Sequence, residues 1–267
     1  MKRLLITGAA GGLGRVMRQL LAPMAEVVRL SDVADLGEAA PNEELMPCDL
    51  GDADAVMRLV EGCDGIVHFG GISTEKAFGP ILNANILGVY NLYEAARAHG
   101  QPRIVFASSN HVVGFYPQTG RLTAADPMRP DGLYGVSKCF GEAMAHMYFD
   151  KFGQETAIVR IGSCFPEPNS HRMLSTWFSA DDFAALIGRV FEMPTLGCPI
   201  VWGVSDNKEV WWDNTAAAFL GWTPRDSSEK FRARIAAEGP KPGPTDPQTR
   251  WQGGAFAAAP IAKDDNA

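Results

Sequence analysis

Apolar residues fall along this chain in two alternating rhythms. Short continuous runs occupy residues 3–7, 25–32, 45–50, 65–71, 103–108 and 156–161, each bounded by glycine, proline or polar residues. Such runs predict strands buried on both faces. Between them, residues 13–21, 53–61, a long stretch within 80–99, and 134–152 repeat their apolar positions at helical spacing. Strand and helix in succession imply an α/β fold, a doubly wound parallel sheet with helices on both faces. Beyond residue 163 the pattern loosens. A helix is predicted over 179–191, where Asp181 and Asp182 sit at the positive end of the helix dipole. A strand is predicted over 198–204, and short helices over 214–220 and 228–238.

The 267 residues suit one domain of this type. The expected division is a main sheet over 1–162, a small lobe over 163–238, and a Pro/Gly-rich tail over 239–267 that wraps the body or frays. Hydrophobic residues make up 46% of the chain, enough for a full core. The net charge of −7 repels phosphate backbones and argues against a nucleic-acid partner. No run approaches the roughly 18 apolar residues that span a bilayer. The opening MKRLLITGAAGG lacks the apolar core of a signal peptide. A cytoplasmic protein without membrane contact is expected. The five cysteines are scattered, with no CxxC pair, which fits buried free thiols better than a disulfide framework or a zinc site. No spacing of His, Asp and Glu points to any other metal.

The first run leads into Gly8-Ala9-Ala10-Gly11-Gly12-Leu13-Gly14, immediately before the first predicted helix. Glycines there let the backbone approach a pyrophosphate, and the helix N-terminus offers unpaired N–H groups and partial positive charge. Strand, glycine array and helix in that order predict a Rossmann-like dinucleotide site at Gly8, Gly11, Gly12, Leu13 and Gly14. Asp32 ends the second run. Its carboxylate can accept from both hydroxyls of an adenosine ribose and would repel a 2′-phosphate. NAD is therefore expected over NADP, although Arg29 lies three residues earlier.

Tyr134-Gly135-Val136-Ser137-Lys138 sets a phenol and an ammonium four residues apart, on one face of a helix. A free tyrosine, with a pKa of about 10, is a poor base at neutral pH. The Lys138 ammonium and an oxidised nicotinamide would favour the phenolate, and Tyr134 could then take a proton from an alcohol. Upstream lies Phe106-Ala107-Ser108-Ser109-Asn110-His111-Val112-Val113-Gly114. Together these segments resemble the extended short-chain dehydrogenase/reductase superfamily, with its YxxxK motif and a serine cluster before a V-[YV]-G turn. The resemblance implies that Tyr134 and Lys138 are catalytic and that Lys138 also holds the nicotinamide ribose. It implies that a serine holds the reacting oxygen: Ser109, with Ser108 as the alternative. It further implies that Asp49 and Leu50, ending the third strand, contact the adenine. Gly70 and Gly71 would offer their backbone to the cofactor, although the asparagine of the family's NAG-like segment is missing. Asn85, in Asn85-Ile86-Leu87-Gly88, would touch the cofactor or brace the sheet. His68 reads as a strand residue satisfied by the backbone.

Longer segments resemble the uronate dehydrogenase family over nearly the whole chain. They are Gly70-Gly71-Ile72-Ser73, Ser108-Ser109-Asn110-His111, Tyr116-Pro117-Gln118-Thr119, the stretch from Asp131 to Glu142, Arg160-Ile161-Gly162-Ser163-Cys164, and Arg172-Met173-Leu174-Ser175-Thr176-Trp177. The resemblance implies NAD-dependent oxidation of the anomeric carbon of D-galacturonate and D-glucuronate to an aldarolactone. A hexuronic acid needs a group for its carboxylate, and a guanidinium grips one with two parallel hydrogen bonds, so Arg172 is the candidate. Ser73, Asn110, His111 and Ser163 each follow a predicted strand at its carboxyl end, where open α/β sheets bind ligands. With Ser109 and Tyr134 they form the expected sugar site. The six tryptophans, Trp177, Trp202, Trp211, Trp212, Trp222 and Trp251, are assigned to packing. A homo-oligomer is expected through helices within 80–99 and 134–152, where Ile86, Val89, Tyr90, Leu92, Met144, Met147 and Tyr148 supply apolar surface.

Two rival readings share parts of this pattern. A nucleotide-sugar epimerase or dehydratase would need a larger C-terminal lobe and more basic residues than Arg172 and Arg189 between Ser163 and Gly203. A non-catalytic NAD(P)-sensing scaffold would have no need of Ser109, Tyr134 and Lys138 together.

Overall fold

Strands β1 (Arg3–Thr7), β2 (Val27–Ser31), β3 (Glu43–Leu45), β4 (Gly65–His68), β5 (Arg103–Ser109), β6 (Thr156–Ile161) and β7 (Ile200–Gly203) form one sheet. Their order is β3-β2-β1-β4-β5-β6-β7 in the computed structural model, which describes residues 1–263. Every neighbouring pair is parallel. The doubly wound Rossmann-like sheet expected from the sequence is the one that forms. Its strand order reverses between β1 and β4, and that switch point is where such sheets bind ligands.

Alternation along each strand explains why the sheet is buried on both sides. Leu4 and Ile6 of β1, Val105 of β5 and Val159 of β6 face one core, packed with helices α1 (Gly12–Leu21) and α7 (Ala180–Glu192). Leu5, Ile104, Phe106 and Ile158 face the other, against α2 (Ala53–Val60), α4 (Gly88–Ala98) and α5 (Leu133–Phe152). Successive side chains point to opposite faces, so a short apolar run serves both layers at once. A third cluster holds Val112, Val113, Leu122, Trp202, Val204 and Trp212 beside the end of the sheet. There Trp202 and Trp212 stack with centroids 5.0 Å apart.

Several element ends differ from expectation for local reasons. The third strand covers Glu43–Leu45 rather than 45–50. Pro47 has no N–H to give the ladder, so Asp49 and Leu50 lie in the loop that follows rather than at a strand end. The fourth strand stops at His68 because the chain turns away at Gly71, whose φ is +112°. The helix expected within 80–99 begins earlier, as α3 (Phe78–Ile81), and passes through a π-helical turn at Leu82–Leu87 into α4. Val89, Leu92, Met144 and Tyr148, expected at a subunit interface, are instead buried in the protomer's own core.

The C-terminal third adds the short α6 (Met173–Thr176), α8 (Arg232–Glu238) and α9 (Pro247–Arg250). After α9 the chain turns inward, and Gln252 is fully buried. The end of the expected tail, residues 264–267, lies outside the described residues. All five cysteines are free. Among the described residues no helix is long and apolar enough to cross a membrane.

Candidate active site

A cavity of about 960 Å³ opens at the carboxyl ends of the strands. Of the residues expected in the site, all but Ser109 and Asn85 line it. At one end lies the glycine loop between β1 and α1. The glycines divide the work. Gly8 has φ +69°, and a Cβ there would come within 2.6 Å of the Phe69 backbone. A Cβ on Gly14 would overlap the Gly8 carbonyl oxygen. These two fold the loop. A Cβ on Gly12 would meet nothing within 4 Å, so that position is open. Gly11 supplies no side-chain cap to α1, which leaves the first-turn N–H groups for a ligand. The loop thus fits a dinucleotide pyrophosphate. Asp32 braces it, accepting from the N–H groups of Ala10 and Ala34, each at 3.0 Å. Asp49 accepts from the Gly51 N–H at 2.8 Å.

Gly70 donates its N–H to Thr7 Oγ1 at 3.1 Å, and the same hydroxyl lies 2.7 Å from His68 Nδ1. His68 thus meets a side chain through Nδ1, not the backbone as expected, and its buried Nε2 has no partner among the described residues. Burial, reinforced by Lys138, pushes its pKa down to about 3 and keeps it neutral. Asn85 stands behind the cavity wall. From the π-helical turn it accepts from the Ile72 N–H at 2.7 Å, and it donates to the Ile72 carbonyl and to Ser137 Oγ. It clamps the loop after β4 onto α5.

Helix α5 carries Tyr134, Lys138 and Glu142 on one face. Its N-cap, Gly132, has no side chain to cap with. The carboxylate of Glu75 does so from a distant loop, accepting from the Leu133 and Tyr134 N–H groups at 2.9 and 3.0 Å. A negative charge there suits the positive helix end. Ser109 stands near the Tyr134 hydroxyl and lowers its proton affinity, while its own Oγ accepts from the His111 N–H at 3.2 Å. Ser108, one residue earlier on β5, points to the opposite face. It donates to Glu142 at 2.5 Å, and Glu142 pairs with Arg160 in a buried ion pair. Lys138 donates to the Ala107 carbonyl at 2.8 Å.

In the protein alone, burial dominates the proton affinities of this pair. It pushes Tyr134 up to about 12, against the opposing influence of the Ser109 hydroxyl, and pushes Lys138 down to about 8. The sequence reading had Lys138 lowering the tyrosine. A buried site disfavours both charged forms.

At the other end of the cavity Arg172 is half-buried, and the loss of water around its guanidinium lowers its pKa to about 10. Its Nε and Nη2 donate to the Gln252 carbonyl, and Nη1 approaches Ser163 Oγ at 3.4 Å. Asn110 donates to the same carbonyl at 3.3 Å. Phe256 covers His111. Glu75, Asp131, Gln252 and Phe256 escaped the sequence reading. Glu75 carried no motif, Asp131 opened a family-like stretch without a role of its own, and the last two belong to a segment that reads as a Pro/Gly-rich tail.

Comparison with known proteins identifies the family. The NAD dependent epimerase/dehydratase family matches residues 4–184. The chain is 66% identical to a uronate dehydrogenase of Agrobacterium fabrum strain C58, over 98% of this chain and 99% of the relative. It superposes on the crystal structure of uronate dehydrogenase from Agrobacterium tumefaciens with a TM-score of 0.98, covering 99% of each chain at 66% identity. It superposes equally, with a TM-score of 0.98 and 66% identity over 99% of this chain and 100% of the other, on a tyrosine-to-alanine variant of that enzyme complexed with NAD. The chain is an NAD-dependent dehydrogenase, and it belongs to the NAD-dependent epimerase/dehydratase family and, within it, to the uronate dehydrogenases.

Proposed function

We propose that this dehydrogenase oxidises the anomeric C1 hydroxyl of free D-galacturonate and D-glucuronate to the aldarolactone. One observation carries the reading. Tyr134, with Lys138 one helical turn on and Ser109 just behind it, and the half-buried guanidinium of Arg172 face one cavity.

NAD held on the glycine loop, with its adenosine ribose at Asp32, supplies the acceptor for the hydride from C1. Ser109 holds the C1 oxygen by a hydrogen bond. Tyr134 Oη takes the proton as the C1–O bond becomes a carbonyl. The ring oxygen is already bonded to C1, so the carbonyl is that of a lactone. The Lys138 ammonium opposes the rise in Tyr134's proton affinity that burial causes. It also holds the nicotinamide ribose.

Arg172 has five N–H donors, of which three are engaged by Gln252 and Ser163. The remaining two lie on its Nη1 and Nη2 and take the substrate carboxylate. Ser73, Asn110, His111 and Ser163 meet the sugar hydroxyls. Subunits pair through α4 and α5, which keep Tyr90, Val136 and Met147 exposed.

Mixing NAD with free uronates and with their neutral parent sugars, and following NADH absorbance, tests the reading. Bulk reduction is expected with uronates and strongly weaker reduction with neutral sugars. Tyr134→Phe should lower turnover by roughly 10²–10⁴-fold while NAD still binds. Equal kinetic constants for neutral sugars would remove Arg172 from its role. Tightly held NAD with no net reduction would favour the epimerase chemistry instead.

A further inference from the structure

His111 is read above as touching the sugar. Behind the cavity wall it forms a pair that deepens that reading and rests on it. Its Nδ1 lies 2.9 and 3.1 Å from the two carboxylate oxygens of Asp131. The Asp131 side chain is fully buried, where three segments meet. A Cβ on Gly114, in the turn after β5, or on Gly253, in the C-terminal segment, would overlap this carboxylate. Bare backbone on both sides is what lets it reach the ring.

The remaining surface of the imidazole is also committed. Phe256 lies 4.1 Å away between centroids, and Tyr134 meets the ring edge-on at 5.7 Å. An ionised carboxylate only accepts, so Nδ1 carries the proton. That fixes both the tautomer and the orientation of the ring. Among the described residues Nε2 has no protein partner, and it is not sealed off, since His111 lines the cavity.

We propose that Asp131 is a positioning residue for substrate recognition: its carboxylate holds His111 so that Nε2 presents a lone pair to a hydroxyl of the bound sugar. A sugar hydroxyl satisfies an acceptor placed there. A ligand lacking that hydroxyl leaves it unpaired, which is how a polar site discriminates. Asp131 touches neither substrate nor cofactor and acts through the histidine.

A double-mutant cycle with Asp131→Asn and His111→Phe, read as KM and kcat for galacturonate, tests the proposal. Each single variant should raise the uronate KM roughly tenfold or more. The double variant should be no worse than the weaker single one, with NAD affinity unchanged within about twofold in all three. Additive effects would mean that Asp131 acts only as packing between Gly114 and Gly253. The ¹⁵N spectrum of the wild-type imidazoles, with His111 assigned by its loss in His111→Phe, supplies a readout that needs neither turnover nor a folded Asp131→Asn. A neutral ring protonated at Nδ1 is expected, and a proton on Nε2 overturns the proposal. A wild-type enzyme that ignores uronates would sink the substrate reading above, whereas additivity with normal wild-type turnover sinks only this one.

Discussion

Lys138 shows how a single residue can be retained against stability. Its ammonium is buried, its hydrogen-bond acceptor among the described residues is a neutral carbonyl, and the Phe106 and Tyr134 rings lie 5.3 and 5.7 Å away. A buried charge without a carboxylate partner is expensive. Lys138→Met should therefore lose turnover and yet melt a few degrees higher at pH 7, reflecting a gain on the order of 1–3 kcal/mol. The pH dependence has a definite sign. The unfolded lysine keeps its proton to about 10.4, whereas burial lowers the folded value to about 8. Between those values the unfolded state binds more protons, so wild-type stability rises with pH. The gap in Tm between variant and wild type should shrink from pH 8 towards pH 10. A gap that widens would show that Lys138 is stabilised by a charge not identified here.

Among the elements, the β1–α1 loop separates folding from binding within a few residues. Gly14→Ala places a methyl against the Gly8 carbonyl, and overpacking of that kind costs about 1–3 kcal/mol. Gly12→Ala meets no protein atom within 4 Å. Its Tm without NAD should stay within about 1 °C or rise slightly, since alanine suits a helix better than glycine. Its NAD dissociation constant should rise, because the methyl occupies the approach to the phosphates. Thermal melts and NAD titrations of the two variants check both halves. Helix α5 makes a related point: its first turn is capped by Glu75, and its inner face rests on the Glu142–Arg160 pair. The phenol is thus held by a rigid element whose two supports come from other parts of the chain.

On the scale of the whole molecule, the C-terminal segment completes the sugar end of the cavity. The Gln252 carbonyl takes Arg172 and Asn110, its side chain accepts from Trp212 Nε1 at 2.8 Å, and Phe256 lies over His111. Removing residues from 247 onward should raise the uronate KM at least about tenfold and lower Tm, because Trp212 and Arg172 lose buried partners at about 1–3 kcal/mol each. NAD affinity should change far less, since the glycine loop and Asp32 lie at the other end. Steady-state kinetics and NAD titration of the truncated protein measure the contrast. An unchanged uronate KM would show that the segment is mere packing.

The sheet, the glycine loop, the acidic end of the second strand and the Tyr134–Lys138 spacing were all legible in the chain, because each is written in local period and neighbour order. The extent of the third strand was misread through Pro47, whose missing N–H acts only once a partner strand lies alongside. Tertiary structure decided the rest. It turned Ser108 towards Glu142 and Ser109 towards Tyr134, set Asp131 under His111, brought Glu75 to the start of α5 and buried Gln252 behind the cavity wall. These contacts join residues far apart in the chain. A buried polar group takes whichever partner the assembled fold delivers, and no repeat in the sequence records that distance.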